Sequence, residues 1–292
     1  MAGAFTIFIL TWNLARLTHP SDLDLKPLLP QSKPDLIVIG LQEMDDMEKW
    51  QNMFTQTLSG SGYKLHDKKH MYELGMFIFV NKDETSNVPG NTYEITLNTD
   101  KPTGFLKKVP NKGATIICMH INSIPICFVN CHLNAGEEKA KRRLEDMDQI
   151  LKESRLDSAY VLFWFGDMNF RLEESKSMSA DKIINKIASG GKDELLKLDE
   201  LTKLMSQPTL QNFKEAQPTF LPTYRFIVGT SVYDNKRRPA WTDRILYKDH
   251  YGLLQVQSYK SYEGVQISDH RPVSALFKVN ERPSLPTTYT RE

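Results

Sequence analysis

Six stretches of this chain are apolar almost without interruption for the length of one strand, and each runs into polar residues: FTIFILTWN (5–13), DLIVIGLQE (35–43), GMFIFVN (75–81), ATIICMHI (114–121), PICFVNCHL (125–133) and YVLFWFGDMN (160–169). A strand with one wet face alternates apolar and polar residues; a run without alternation needs cover on both faces. Helical patterns can supply that cover. Residues 45–58 set Met47, Trp50, Phe54 and Leu58 at helical spacing. Residues 135–152 set Ala140, Leu144, Met147 and Leu151 on one face, with Glu137 and Lys141 spaced as an i,i+4 ion pair. A third helical region over 179–206 is expected to break at Gly190-Gly191, while 82–91 and 206–223 read as loops. The pattern predicts one α/β domain over residues 1–282, with two packed sheets inside helices and a flexible tail at 283–292. Polar strand ends would then converge on one edge.

Composition narrows the function classes. The 292 residues are 40% apolar and 25% charged, as in an ordinary soluble globular protein. A formal net charge of +1 gives no bulk attraction to nucleic acid or membrane, so affinity for phosphate must come from local clusters. The cysteines, Cys118, Cys127 and Cys131, lack metal-ligand spacing; Cys118 and Cys127 lie in apolar runs and read as small buried thiols. Few and odd-numbered cysteines point to a reducing compartment, and the expected location is cytoplasmic. The N-terminal apolar run has no basic flank or cleavage site and reads as a core strand. A transmembrane helix and a C-terminal prenylation box are not expected.

Chemistry gathers at the strand ends. Glu43 follows DLIVIGLQ and Asn13 ends the first run; together they offer hard oxygen ligands suited to Mg²⁺. Asp167 and Asn169 are two apart, so on an extended chain they share a side, where an acceptor and a donor can hold and activate a water. Gly166 before them allows a close backbone approach. His132 ends another run. Asp269 and His270 are adjacent and face opposite ways in a strand, so Asp269 is expected on the metal side while a different acid orients His270. Asp243, in NKRRPAWTDRIL (235–246), is a candidate for that acid.

The ordered set TWNLA, LQEM, NKGA, NCHLNAG, FWFGDMNFRL, PTYRF, RRPAWTDRIL and SDHRPV, over roughly residues 5–279, resembles the inositol polyphosphate 5-phosphatases, within the wider Mg²⁺-dependent endonuclease/exonuclease/phosphatase superfamily. The resemblance implies a DNase I-like four-layer sandwich, two mostly antiparallel sheets flanked by helices. It implies hydrolysis of the 5-phosphate of phosphoinositides or soluble inositol polyphosphates. Carried over by position, Glu43 is the principal Mg²⁺ ligand with Asn13 beside it, and Asp167 and Asn169 handle the water. His270 is the catalytic histidine with Asp243 as its partner, and His132 touches the scissile phosphate. Either Asp167 or His270 can be the general base. The Cys-x₅-Arg signature of cysteine-dependent phosphatases is absent. Two positions depart from the family pattern: Val109-Pro110 replaces Met-Gly before Asn111 and Lys112, the residues expected near the 1-phosphate, and Asn134 stands where a small Ala is usual.

A substrate with several phosphates needs several cations. Arg171 lies two past Asn169, and Lys236 and Arg237 precede PAW; the resemblance assigns Tyr224, Arg225 and Arg237 to the 4-phosphate, where guanidinium pairing suits. Phe105, Leu106, Lys107 and Lys108 form a candidate membrane-touching loop on a monomer that binds no nucleic acid. Three rivals are a nuclease of the same superfamily, a non-catalytic phosphoinositide-binding module and a sphingomyelinase-like esterase. The near-neutral charge and PAW-DR oppose the first. Retention of Glu43, Asp167, Asn169, Asp243 and His270 opposes the second.

Overall fold

The apolar runs are strands with cover on both faces. A computed structural model describes residues 4–17, 23–81, 91–96 (backbone only), 112–122, 124–154, 156, 159–173 and 178–281. Its strands are β1 (Phe5–Asn13), β2 (Leu36–Gln42), β3 (Tyr63–Met71), β4 (Leu74–Asn81), β5 (Asn91–Thr96), β6 (Gly113–Ile121), β7 (Ile124–His132), β8 (Val161–Asp167), β9 (Lys214–Glu215), β10 (Asp243–Asp249), β11 (Leu254–Ser261) and β12 (Val273–Val279). They form two six-stranded sheets, ordered β11-β12-β1-β2-β4-β3 and β5-β6-β7-β8-β10-β9. The helices are α1 (Met47–Ser59), α2 (Ala140–Ser154), α3 (Ala180–Ala188), α4 (Lys192–Leu196) and α5 (Glu200–Leu204). The break expected at Gly190-Gly191 separates α3 from α4.

Alternate residues of each central strand serve different layers. Ile7, Ile9, Val38, Ile78, Phe128, Phe163, Phe165 and Phe277 meet between the sheets, where Phe128 and Phe163 stack at 5.5 Å. Phe8, Leu10, Trp12, Ile37 and Ile39 turn outward onto Trp50 and Phe54 of α1. Val129, Leu162 and Trp164 turn outward onto Met147 and Ile150 of α2 and Leu201 of α5. Each such large side chain contributes roughly 1.5–3 kcal/mol on burial, which is why both faces of these strands stay apolar.

Most neighbours are antiparallel, but β1–β2 and β7–β8 are parallel. A parallel pair delivers both of its C-terminal ends to the same edge, and α2 makes the required crossover from β7 to β8. The sheets interlock near that edge. Gly40 has no room for a side chain, since a Cβ there would lie 2.5 Å from the Phe165 ring and 2.7 Å from Asn130 Oδ1. Gln42 Nε2 donates to Thr11 Oγ1 at 3.0 Å and across the sheets to Asn130 Oδ1 at 2.7 Å.

Three expectations need correction. Cys118 and Cys127 are not separate thiols: they face each other in the β6–β7 register, with Cα atoms 4.1 Å apart, and form a disulfide, leaving Cys131 as the buried free cysteine. Glu137 lies ahead of α2, which starts at Ala140, and its carboxylate pairs with Arg238 at 3.4 Å rather than with Lys141. The face of α2 is also turned, with Arg143 and Asp146 buried beside Met147 and Ile150 while Leu144 and Leu151 are half-buried. Among the described residues, no helix is long and apolar enough to cross a membrane.

Candidate active site

The parallel pairs set the edge. β1 and β2 run out at Asn13 and Glu43, and β7 and β8 run out at His132 and Asp167, which pair in register. The antiparallel neighbours begin at this edge, so Asp243 opens β10 opposite Asp167, and His270 precedes β12. Gly166 makes the approach possible. Its φ is 140°, and a Cβ there would lie 1.9 Å from the Cys131 carbonyl oxygen. The backbone also holds Glu43 (φ 50°) and Asn169 (φ 57°) in the left-handed region, unusual for non-glycine residues and common where function fixes geometry.

Asp167 is the hub. Its Oδ2 accepts from Asn13 Nδ2 at 2.9 Å and lies 3.3 Å from His132 Nε2, while its Oδ1 accepts from the Asn169 amide at 3.0 Å. Burial works against its ionisation, but His132, His270 and Lys112 outweigh that and hold the carboxyl well below the usual carboxylate range. Lys112 Nζ meets His132 Nε2. Burial lowers the Lys112 ammonium to about 8, against the pull of Asp167 and Glu43. Burial and then Lys112 also push His132 below its ordinary value, so its imidazole is neutral at neutral pH.

Asp243 and His270 form a second unit. His270 Nδ1 lies 2.9 Å from Asp243 Oδ2, and the same oxygen accepts from Thr223 Oγ1 at 2.6 Å and Thr242 Oγ1 at 2.8 Å. Ser268 holds the other side: its hydroxyl accepts from the His270 amide at 3.1 Å and donates to the Asn13 carbonyl at 2.7 Å. Burial alone would lower His270, but the charge and hydrogen bond of Asp243, then Asp167 and Asp269, raise it to about 9. It is therefore an imidazolium at neutral pH. Thr223, Thr242 and Ser268 escape sequence reasoning because lone hydroxyls in loops carry no chemical signature; only the adjacency of Thr242 to Asp243 hinted at one of them.

Cations and an aromatic wall flank this pair. The Tyr224 ring lies 4.5 Å from the His270 ring, and the Arg171 guanidinium sits 4.6 Å over Tyr224 on the same stack. Arg171 also donates through Nε to the Asn169 carbonyl at 3.1 Å and through its terminal nitrogen to Asn169 Oδ1, which ties it to Asp167's neighbour. Arg225 Nε lies 3.1 Å from Asp269 Oδ2 and 3.5 Å from Asp234 Oδ2. Lys236 and Arg237 are exposed.

Two residues expected at the metal are engaged by protein partners. Asn13 turns its amide nitrogen, not its oxygen, toward Asp167, because its Oδ1 accepts the Ala15 amide at 2.9 Å and closes a local turn. Asp269 is held by Arg225 on one oxygen, and its other oxygen is 3.9 Å from His270 Nε2, so it pairs with a cation rather than standing free. The Glu43 carboxylate makes no hydrogen bond to a described residue, and His132 Nε2 lies 3.9 Å from it. Asp167, Asp243 and His270 also bring one ligand atom each within 4.8 Å of one another. Asn134 has a structural reason for its departure from Ala: its amide and side chain both donate to the buried Asp146 carboxylate of α2, at 3.1 and 2.8 Å. Asn111 and the Phe105–Lys108 loop lie outside the described residues.

Residues 10–276, which carry every strand end named above, match the model of endonuclease/exonuclease/phosphatase family 2. The chain belongs to this family. Within the endonuclease/exonuclease/phosphatase family, it is 32% identical, over 93% of its length, to the polyphosphatidylinositol phosphatase INP53 of Saccharomyces cerevisiae, of which it spans 26%. Its fold overlays the inositol polyphosphate 5-phosphatase domain of Spsynaptojanin, solved in complex with inositol (1,4)-bisphosphate and calcium ion, with a TM-score of 0.80 at 29% identity, covering 95% of this chain and 84% of that one. A Cimex nitrophorin in its ferrous nitric oxide complex overlays almost as well, with a TM-score of 0.79 at 22% identity, covering 96% of this chain and 100% of that one. That likeness concerns the fold alone, so within the endonuclease/exonuclease/phosphatase family function has to be argued from the site.

Proposed function

We propose that the chain is a Mg²⁺-dependent phosphatase that removes the 5-phosphate from phosphoinositides or soluble inositol polyphosphates. The observation that carries this reading is the convergence, at one edge of both sheets, of an ionised Asp167, the Asp243–His270 pair and the Lys112, Arg171 and Arg225 cations. Similarity to a polyphosphatidylinositol phosphatase and to a 5-phosphatase domain supports the substrate class.

Glu43, with Asp167 nearby, would hold the ion; both offer hard carboxylate oxygens, and Glu43 has no competing hydrogen bond among the described residues. Bound Mg²⁺ would neutralise phosphoryl oxygens and polarise the phosphorus. The protein's own groups divide the remaining work. Asp167, fixed by Asn13 and the Asn169 amide, orients the attacking water as a hydrogen-bond acceptor. His270 already holds a proton, so it serves as a cation and donor to the phosphoryl oxygens rather than as a base. Asp243 keeps that imidazole oriented and charged. Arg171 and Tyr224 stack beside His270, and Arg225 and Arg237 receive the neighbouring phosphate.

The test is phosphate release with Mg²⁺ across a panel of inositol phosphates and short-chain phosphoinositides. Turnover confined to 5-phosphorylated members supports the reading; turnover of abasic DNA, or of members lacking a 5-phosphate, rejects it.

A further inference from the structure

Next to Arg225 the chain forms a short hairpin whose tip exposes aliphatic carbon. Phe226 bridges Tyr233, and the Ile227 amide donates to the Val232 carbonyl at 2.8 Å. Ile227, Val228 and Val232 are 48%, 49% and 57% exposed, and they cluster on this one tip. Among the described residues, the other large apolar side chains with similar exposure, Tyr72 and Tyr251, lie elsewhere in the chain and carry hydroxyls. Three aliphatic side chains side by side on a turn are costly in water unless something covers them.

The tip stands on a braced base. The Phe226 and Tyr233 rings stack at 4.3 Å, and the buried Arg271 guanidinium lies 3.8 Å under the Phe226 ring. Arg271 also donates to the Thr230 carbonyl, and the Gly229 amide donates to the Gln266 carbonyl at 2.7 Å. The Phe226 amide donates to the Asp269 carbonyl at 3.0 Å, which ties the hairpin to the residue next to His270. The tip is thus presented in a fixed direction on the rim of the candidate active site.

Charge around the tip selects its partner. Lys236 and Arg237 are exposed just beyond the hairpin, and Arg225 is half-exposed at its start. Of the nearby acids, Asp234 and Asp269 are already engaged by Arg225, the exposed Asp181 accepts from Asn235 Nδ2 at 3.2 Å, and Glu263 lies at the base beside Tyr233 and Arg271. A small apolar tip flanked by the exposed Lys236 and Arg237 suits an anionic bilayer, where carbon enters the interface and Lys and Arg meet headgroups. It is too small for the core of a stable protein interface, which needs roughly 800 Å² per partner.

We infer that Ile227, Val228 and Val232 form a membrane-inserting tip that seats the catalytic cleft on an anionic lipid surface. The inference rests on the reading of phosphoinositides as substrates, which makes them the lipid form the cleft would meet. The experiment compares the full chain with its I227S/V228S/V232S variant in two assays. Co-sedimentation with vesicles of phosphatidylcholine and phosphatidylserine, without phosphoinositide, reads insertion even if the wild type releases no phosphate. Turnover of a short-chain soluble phosphoinositide against the same headgroup in vesicles reads its consequence. Expected results are a fall of roughly tenfold or more in vesicle affinity and vesicle turnover, with soluble turnover within about twofold of wild type. An environment-sensitive dye on V228C should shift blue when vesicles are added. Unchanged vesicle binding by the triple variant, or no shift of the dye, overturns the inference. So does a dimer of the wild type that the triple variant dissolves, which would assign the tip to a second copy. A wild type inactive on every inositol phosphate would refute the proposed function, while the sedimentation and dye results would still decide the tip.

Discussion

Replacing Asp243 by Asn probes the part of the site that owes most to one hydrogen-bond network. The Asp243 side chain is fully buried and accepts from Thr223 Oγ1 at 2.6 Å, Thr242 Oγ1 at 2.8 Å and His270 Nδ1 at 2.9 Å, all on Oδ2. An Asn can keep its carbonyl under the two hydroxyls. Its amide nitrogen then takes the place of Oδ1, 3.2 Å from Nδ1, while the carbonyl in the place of Oδ2 can still accept the Nδ1 hydrogen at 2.9 Å. The anion that raises His270 to about 9 is also gone, so the imidazole loses its proton near neutral pH. A cation aimed at the phosphoryl oxygens becomes a neutral ring, and kcat should fall by roughly 10²–10⁴ with KM little changed. Stability carries a second signature. The folded pKa of His270 lies above its ordinary value, so this group contributes stability that is complete below about pH 6.5 and lost as pH rises through about 9. The shift corresponds to something on the order of 3 kcal/mol. Lys112, lowered to about 8, has the opposite slope, so the readout is the difference between wild type and D243N in metal-free urea unfolding. Wild type should exceed the variant clearly near pH 6, and the gap should narrow towards pH 10. A D243N enzyme within threefold of the wild-type rate, or a gap independent of pH, would refute the reasoning.

Other perturbations test other links. G166A places a Cβ against the Cys131 carbonyl at a φ of 140°, where the β7–β8 pairing gives no room, and should cost about 3 kcal/mol or more in urea unfolding; a loss under about 1 kcal/mol would count against it. R244M removes the cation that the buried carboxylates of Asp199 and Glu215 share, at 2.9 and 2.6 Å, and should cost roughly 3–5 kcal/mol by thermal or urea unfolding. R237A should raise KM for a 4,5-bisphosphorylated substrate more than for one lacking the 4-phosphate, and equal effects on both would remove Arg237 from that subsite.

What could be read from the sequence follows from burial. β1, β2, β4, β6, β7 and β8 announce themselves because each is covered on both faces. β3 and β11 are sheet-edge strands in which almost every residue is exposed or half-buried, in the sequences YKLHDKKHM and LQVQSYKS, so their polar content conceals them. The disulfide depends on the β6–β7 register bringing residues nine apart face to face, and a pair in apolar runs reads equally well as two buried thiols. The Glu137–Lys141 spacing misleads because helix-compatible spacing does not tell where a helix begins. At the site, ionisable residues at strand ends stand out, since a carboxylate after a buried run needs a reason. The turned amide of Asn13, the Arg225–Asp269 pair and the hydroxyls under Asp243 are matters of loop geometry, which no residue pattern encodes.

The central claim is that this strand-end cluster removes one particular phosphate. Phosphorus NMR of inositol 1,4,5-trisphosphate incubated with the protein and Mg²⁺ tests it most directly. The account predicts that the 5-phosphate resonance alone gives way to inorganic phosphate, leaving the 1,4-bisphosphate, and that D167N leaves the substrate intact. Loss of the 1- or 4-phosphate, or equal release by D167N, would contradict it.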